Sequence, residues 1–137
     1  MTQKQIDDQL MAAWDSRNPD KFLNLLADDF IWRDLMFPEP MKSKNQARAY
    51  MEAWFTAFPD MSAKQINRVV GDNWVAAEVE FSGINSGPLT MGNKKIAPTG
   101  KQVKGKGTYF VHIEGGKIVE FRSYPDVAGM MMQMGLM

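Results

Sequence analysis

At 137 residues the chain has the length of one domain, spanning 1–137, and its 16 basic and 16 acidic side chains cancel, so it lacks the basic excess with which nucleic-acid binders neutralise phosphates. It has no cysteine and a single histidine, His112, which excludes disulfides, thiol nucleophiles and thiolate zinc sites and argues against a histidine-built metal centre. The N-terminus carries no apolar run or cleavage-site pattern, and no stretch approaches the ~20 apolar residues of a membrane span, so the expectation is a cytoplasmic protein with no nucleic-acid or membrane partner.

In chain order, residues 2–16 read as a helix. Thr2 and Gln5 have the spacing of a capping box, and Ile6, Leu10, Ala13 and Trp14 recur at helical intervals. Asn18 as N-cap and Pro19 at the first helical position open a second, short helix carrying Phe22, Leu23, Leu25 and Leu26 and stopping at Asp28 and Asp29. Residues 30–34, FIWRD, form a short strand, broken by FPEP. Ser43 and Gln46 then make a second capping box. Behind it Ala47, Tyr50, Met51, Trp54, Phe55 and Phe58 draw a wide apolar stripe that ends at Pro59 and Asp60.

After residue 60 the period changes. AKQINRVV, the turn GDN and WVAAEVEFSG read as two hairpin-linked strands. A loop rich in Gly, Pro and Asn covers about 83–100. GTYFVHIE, the turn EGGK and IVEFRSY make another hairpin, and DVAGMMMQMGLM ends the chain as a short apolar helix or lid. Helices followed by antiparallel strands give the α+β class. A strongly curved sheet wrapped around those helices encloses a pocket, the usual place for a small-molecule site. With 12 Met, 8 Phe, 4 Trp and 3 Tyr, the composition suits a Met-rich core and dimer face, or a cavity lined for an apolar ligand.

Particular stretches resemble a known family. LLADDFIWRDLMFPEPMKS, residues 25–43, resembles ketosteroid isomerases and the wider nuclear transport factor 2-like superfamily. FPD at 58–60, APTGK at 97–101, GGKIVEFRSYPD at 115–126 and QMG at 133–135 occur in the order found in SnoaL-like polyketide cyclases. The resemblance implies a cone of three helices against a bent sheet, commonly a homodimer, working without metal or organic cofactor. It implies acid/base chemistry on an apolar or aromatic carbonyl compound, the type reaction being an aldol closure of a polyketide ring. Two alternatives stay open, because this fold hosts many functions: an isomerase or lyase using Asp34, and a non-catalytic domain that binds a small ligand or a partner.

The resemblance also implies site residues. Asp126, nine residues after Lys117, falls at the cyclases' acid/base aspartate. A carboxyl group in an apolar cavity can hold a proton near neutral pH and shuttle it. Its plainer role is the N-cap of the last helix. His112 lies on a strand where the cyclases also carry a histidine; strand parity puts it on one face with Thr108 and Phe110, the face expected towards the pocket. Asp34 falls at the general base of ketosteroid isomerases, its plainer role being an ion pair with Arg33 or Arg122. That enzyme's oxyanion-hole positions fall at Leu10 and Thr108, which supply no comparable donors. Trp14, Trp32, Tyr50, Trp54 and Phe110 are the expected lining.

Departures from the cyclase pattern stand at two places. Phe121 and Arg122 replace a histidine–tryptophan pair, and Gly83, Ile84 and Asn85 replace a glycine–threonine–histidine run. An arginine at 122 near the site would bind a carboxylate or enolate, or lower the pKa of Asp126. PTGK reads as a tight turn beside the cavity mouth, not a phosphate loop, and Glu78 and Glu80 as a solvated or dimer-facing row.

Overall fold

The computed structural model describes residues 1–137, the side chain of Met91 excepted. Its helices begin where the side chains can cap them. In α1, Gln3–Asp15, the Thr2 hydroxyl accepts from the Gln5 amide at 3.1 Å while the Gln5 side chain accepts from the Thr2 amide at 2.9 Å. Asn18 caps α2, Pro19–Leu23, with Pro19 in its first turn. Ser43 and Gln46 repeat the reciprocal pair at α3, Lys44–Ala57. Each cap of this kind is worth about 1 kcal/mol.

The strands are β1 (Leu26–Asp34), β2 (Ser62–Val70), β3 (Trp74–Ile84), β4 (Leu89–Met91), β5 (Lys94–Ile96), β6 (Gln102–Glu114) and β7 (Lys117–Pro125). Five of them form one sheet in the order β1-β7-β6-β3-β2. Its pairs are antiparallel except the edge pair, where β1 runs parallel to β7. Register slips at Gln65/Asn67 and His112/Ile113 add local bends to the sheet. Among the described residues no helix is long and apolar enough to cross a membrane.

Two sequence expectations change here. The second helix ends at Leu23, and Leu26–Asp29 belong to β1. Pairing of Leu26 with Ile118 takes the chain into the sheet, a tertiary contact that overrides the helical look of the leucine run. The 83–100 loop is shorter than expected, since β3 runs to Ile84 and the β4–β5 hairpin turns at Gly92, whose φ is 63°. Asn85, fully buried, ties that region down. Its Nδ2 donates to the carbonyls of Ala57 and Gly87, and its Oδ1 accepts from the Thr99 amide and hydroxyl, both at 2.8 Å. Asn85 is thus a clasp holding the PTGK turn against the end of α3.

The concave sheet face is covered by Ile6, Leu10 and Ala13 of α1, Phe22 of α2, and Ala47 and Met51 of α3. A second cluster sits at the other end of α3, where Trp54, Phe58, Met61, Leu89, Met130 and Met134 pack together. Met130 belongs to α4, Val127–Gln133, and Met134 is its C-cap; Gln133 both accepts from and donates to the Lys104 backbone, at 2.7 and 2.6 Å. The C-terminal helix is therefore fixed to β6.

One buried charge joins α1 to the sheet. Asp7 is fully buried and accepts from the Tyr109 hydroxyl, from Gln65 Nε2 at 2.9 Å and from Arg68 at 3.0 Å. Replacing it with alanine leaves the buried Tyr109 hydroxyl without its acceptor, at a cost of about 1–3 kcal/mol, while the half-buried Gln65 amide keeps its bond to that hydroxyl at 3.0 Å. Urea unfolding should place Asp7→Ala about 1–3 kcal/mol below the parent. Asp8→Ala removes only the exposed half of the Arg68 ion pair and should stay within about 1 kcal/mol. Equal losses in the two variants would remove this tie from the account.

Candidate functional site

A cavity of about 110 Å³ lies between the concave sheet face and helices α1 and α3. Aromatic rings make most of its wall. Trp14, Trp32, Tyr50, Trp54, Phe81 and Phe121 all face it. Trp32 packs edge-on to Tyr50 and to Phe121 at centroid distances of 5.1 and 4.9 Å. Phe81 reaches its place because its cross-strand partner is Gly105, where a Cβ would lie 2.2 Å from the ring.

Asp34 is the one carboxylate among the described lining residues. It is 5% exposed. Strand alternation puts it there, since Phe30, Trp32 and Asp34 share the inward parity of β1. Its Oδ1 accepts from the Met36 amide at 2.9 Å. Its Oδ2 accepts from the Tyr50 hydroxyl at 2.7 Å and the Ser123 hydroxyl at 2.5 Å. Ser123 in turn accepts from the Trp32 indole at 2.9 Å, so indole, hydroxyl and carboxylate form a chain of donors that polarise one another. A carboxylate offers about four lone-pair positions, and Oδ1 keeps one unused.

Burial first, then the Asp34 charge and hydrogen bond, raises Tyr50 well above the ordinary tyrosine value. Its proton therefore stays on the phenol, and Asp34 remains the acceptor. Tyr109 also borders the cavity, stacked on Phe121 at 5.4 Å. Its hydroxyl is committed to Asp7, and burial followed by the Asp7 charge raises it too.

The remaining expected site residues lie elsewhere. Asp126 is exposed and does not border the cavity; its carboxylate accepts from the Gly129 amide at 2.9 Å as the N-cap of α4. The expectation of an acid buried in the cavity at position 126 is corrected, because the chain leaves the sheet at Pro125 and spends that side chain on the next helix. Thr108, Phe110 and His112 do share a face, but it is the outer one. Tyr109, Val111 and Ile113 take the inner face. His112 stacks on Trp74 at 4.5 Å and lies 3.4 Å from Glu114, and Phe110 is 40% exposed. Arg122 is outward as well, paired with Glu120 at 2.6 Å and over the Trp74 ring at 5.6 Å. Its hydrogen bond holds Glu120 below the usual carboxylate range. Arg33 also turns to Glu120, at 3.4 Å, so neither arginine pairs with Asp34. Ser123, Phe121 and the polar role of Tyr50 were not anticipated. The signal for Phe121 and Ser123 was the inward parity of β7, which alternates with Glu120 and Arg122.

A second space of about 470 Å³ lies outside α3, bounded by residues 36–41 and the β4–β5 hairpin. Tyr50 and Trp54 line both spaces. Among the described residues no group of three His, Asp or Glu side chains is arranged to hold a metal ion.

For both buried tyrosines the folded-state value lies above the unfolded one. The unfolded chain releases these protons near pH ~10 while the native chain keeps them. Their contribution to stability is therefore complete below about pH 10 and declines as the pH rises further. Tyr50→Phe and Tyr109→Phe should each flatten that alkaline decline, read from urea midpoints between about pH 9 and 11; an unchanged slope in both would contradict the assignment.

Comparison with known proteins fits this architecture. No curated protein matches the chain by sequence. AclR, a candidate hydroxylase from Streptomyces galilaeus, superposes with a TM-score of 0.84 at 19% identity, covering 98% of this chain and 81% of its own. IdmH, a candidate polyketide cyclase from Streptomyces antibioticus, gives 0.81 at 21% identity over 96% and 97%. A protein of ketosteroid isomerase-like fold from Catenulispora acidiphila, solved with trimethylamine, gives 0.79 at 18% identity over 100% and 96%. These likenesses show the nuclear transport factor 2-like fold. The family model for SnoaL-like polyketide cyclases matches residues 4–134, and the chain belongs to that family.

Proposed function

We propose that the chain is a cofactor-independent enzyme that moves protons on a small apolar carbonyl compound, with Asp34 as its acid/base group. The observation that carries this is a single carboxylate among the described lining residues, with no cationic partner among them, in a largely apolar cavity. In an aldol closure, Oδ1 takes a proton from the carbon beside one carbonyl, and the electron pair passes into an enolate. That carbon attacks a second carbonyl, and the oxygen that gains charge takes the proton back. Isomerisation or elimination uses the same first step. The Tyr50 and Ser123 hydroxyls, already converging on Asp34, are the donors nearest to an oxygen anion formed there. A positioned acid/base group contributes about 10²–10⁴-fold, and a donor to the oxyanion about 10²–10³-fold.

In this reading Asp126 is a helix cap, and His112 and Arg122 belong to the outer face. That face exposes Trp74, Phe110 and Tyr124, which supports a homodimer paired through the sheet.

Exchange of the methyl hydrogens of acetophenone in D2O, followed by proton NMR, tests the chemistry without the natural substrate. The parent should exchange faster than buffer, and Asp34→Asn should lose about 10²–10⁴-fold of that rate. Asp126→Asn, an equally good cap, should stay within about twofold of the parent. Equal rates for the parent and Asp34→Asn would sink the proposal.

A further inference from the structure

We propose that the groove outside α3 is a second substrate subsite, holding an aromatic or aliphatic tail without negative charge, on a carbonyl compound whose reacting end lies at Asp34. This rests on the function proposed above and adds the shape of the substrate. The inner cavity, about 110 Å³, is smaller than the ~150 Å³ that accepts benzene. It houses one ring or less, whereas ordinary ligand sites span roughly 300–1,000 Å³. A compound with enough carbon to close a ring on itself must extend beyond it. The adjoining groove, about 470 Å³, brings the pair into that range.

The two spaces share Tyr50 and Trp54 as wall. The Tyr50 ring packs on Trp32 at 5.1 Å on the inner side and on Phe37 at 5.6 Å on the groove side. Turning that ring breaks one hydrogen bond to Asp34 and leaves the Ser123 hydroxyl and the Met36 amide in place. The Tyr50 hydroxyl then has the substrate oxygen as its partner, while Oδ1 keeps the free lone pair that takes the proton.

The chemistry of the groove selects the tail. Phe37, Pro38, Ala53 and Leu89 make its walls, and no Lys, Arg or His is among the described lining residues. Gln46 is occupied by the capping box of α3. Glu39 is the charged side chain among the described lining residues, so nothing there compensates a carboxylate or phosphate, and the tail carries no negative charge.

Equilibrium dialysis with acetophenone and 4-acetylbiphenyl tests this, using Ala53→Trp on α3 and Thr90→Trp on the facing hairpin to fill the groove from opposite walls. The parent should bind 4-acetylbiphenyl at least tenfold more tightly than acetophenone. Each variant should cut that ratio by at least tenfold. An unchanged ratio in both variants, or a parent that binds acetophenone but not 4-acetylbiphenyl, overturns the subsite and leaves Asp34 chemistry standing. A parent that binds neither ketone overturns both.

Discussion

The site depends on one register. β1 and β7 run parallel, with Asp34 opposite Ser123 and Trp32 opposite Phe121. Side chains in a strand alternate, so a slip of one residue would turn Trp32 and Asp34 to the outside and bring Arg33 into the apolar space. The register is held by what it buries. Phe22, Trp32 and Phe121 form an aromatic block at centroid distances of 4.9–5.8 Å, and the Trp32 indole finds its acceptor in Ser123 only in this alignment. Packing therefore fixes the position of the carboxylate, and the carboxylate takes its hydrogen bonds from groups that packing has already placed.

The chain buries two aspartate–tyrosine pairs, and their surroundings differ. Asp7 accepts from Tyr109, Gln65 and Arg68, so its charge is matched by a guanidinium and its oxygens are committed. It works as a clasp between α1, β2 and β6. Asp34 accepts from Tyr50, Ser123 and the Met36 amide, all neutral donors, and borders open space. Its cavity lining holds no Lys, Arg or His among the described residues. A buried carboxylate bound to a cation is costly to disturb. One held by exchangeable hydroxyls can trade a donor for a substrate oxygen at little loss. The same two residue types thus give a structural tie in one place and a carboxylate bordering open space in the other.

Much of the fold was legible from local chemistry. The two capping boxes, Asn18-Pro19 and the aromatic stripe of α3 mark helices whose ends depend on neighbouring residues alone. The β1 boundary was not legible, because Leu25 and Leu26 suit a helix until Ile118, far along the chain, pairs with Leu26. Strand parity was legible but its sense was misjudged. Thr108, Phe110 and His112 do share a face, and the presence of Glu114 and Lys106 on that same parity marks it as the solvent side. On β7 the alternation of Phe121 and Ser123 with Glu120 and Arg122 carried the same message, and would have replaced Arg122 by Ser123 in the site.

Asp126 shows why position in a motif does not fix orientation. A residue at the end of a strand points where the following backbone lets it. After Pro125 the chain turns into α4, whose apolar side must bring Met130 and Met134 onto Trp54 and Val103. That helix begins with free amides, and the aspartate immediately before it is the residue able to accept from Gly129. A Cβ on Gly129 would meet that carboxylate at 2.3 Å, so the glycine keeps the cap seated. Here an acid drawn into the cavity would give up the cap that starts the helix closing the second cluster. Asp34 carries no such obligation, because β1 ends against a loop whose Met36 amide turns back towards it. The demand of each following segment, more than the acidity common to both residues, decides which aspartate faces the cavity.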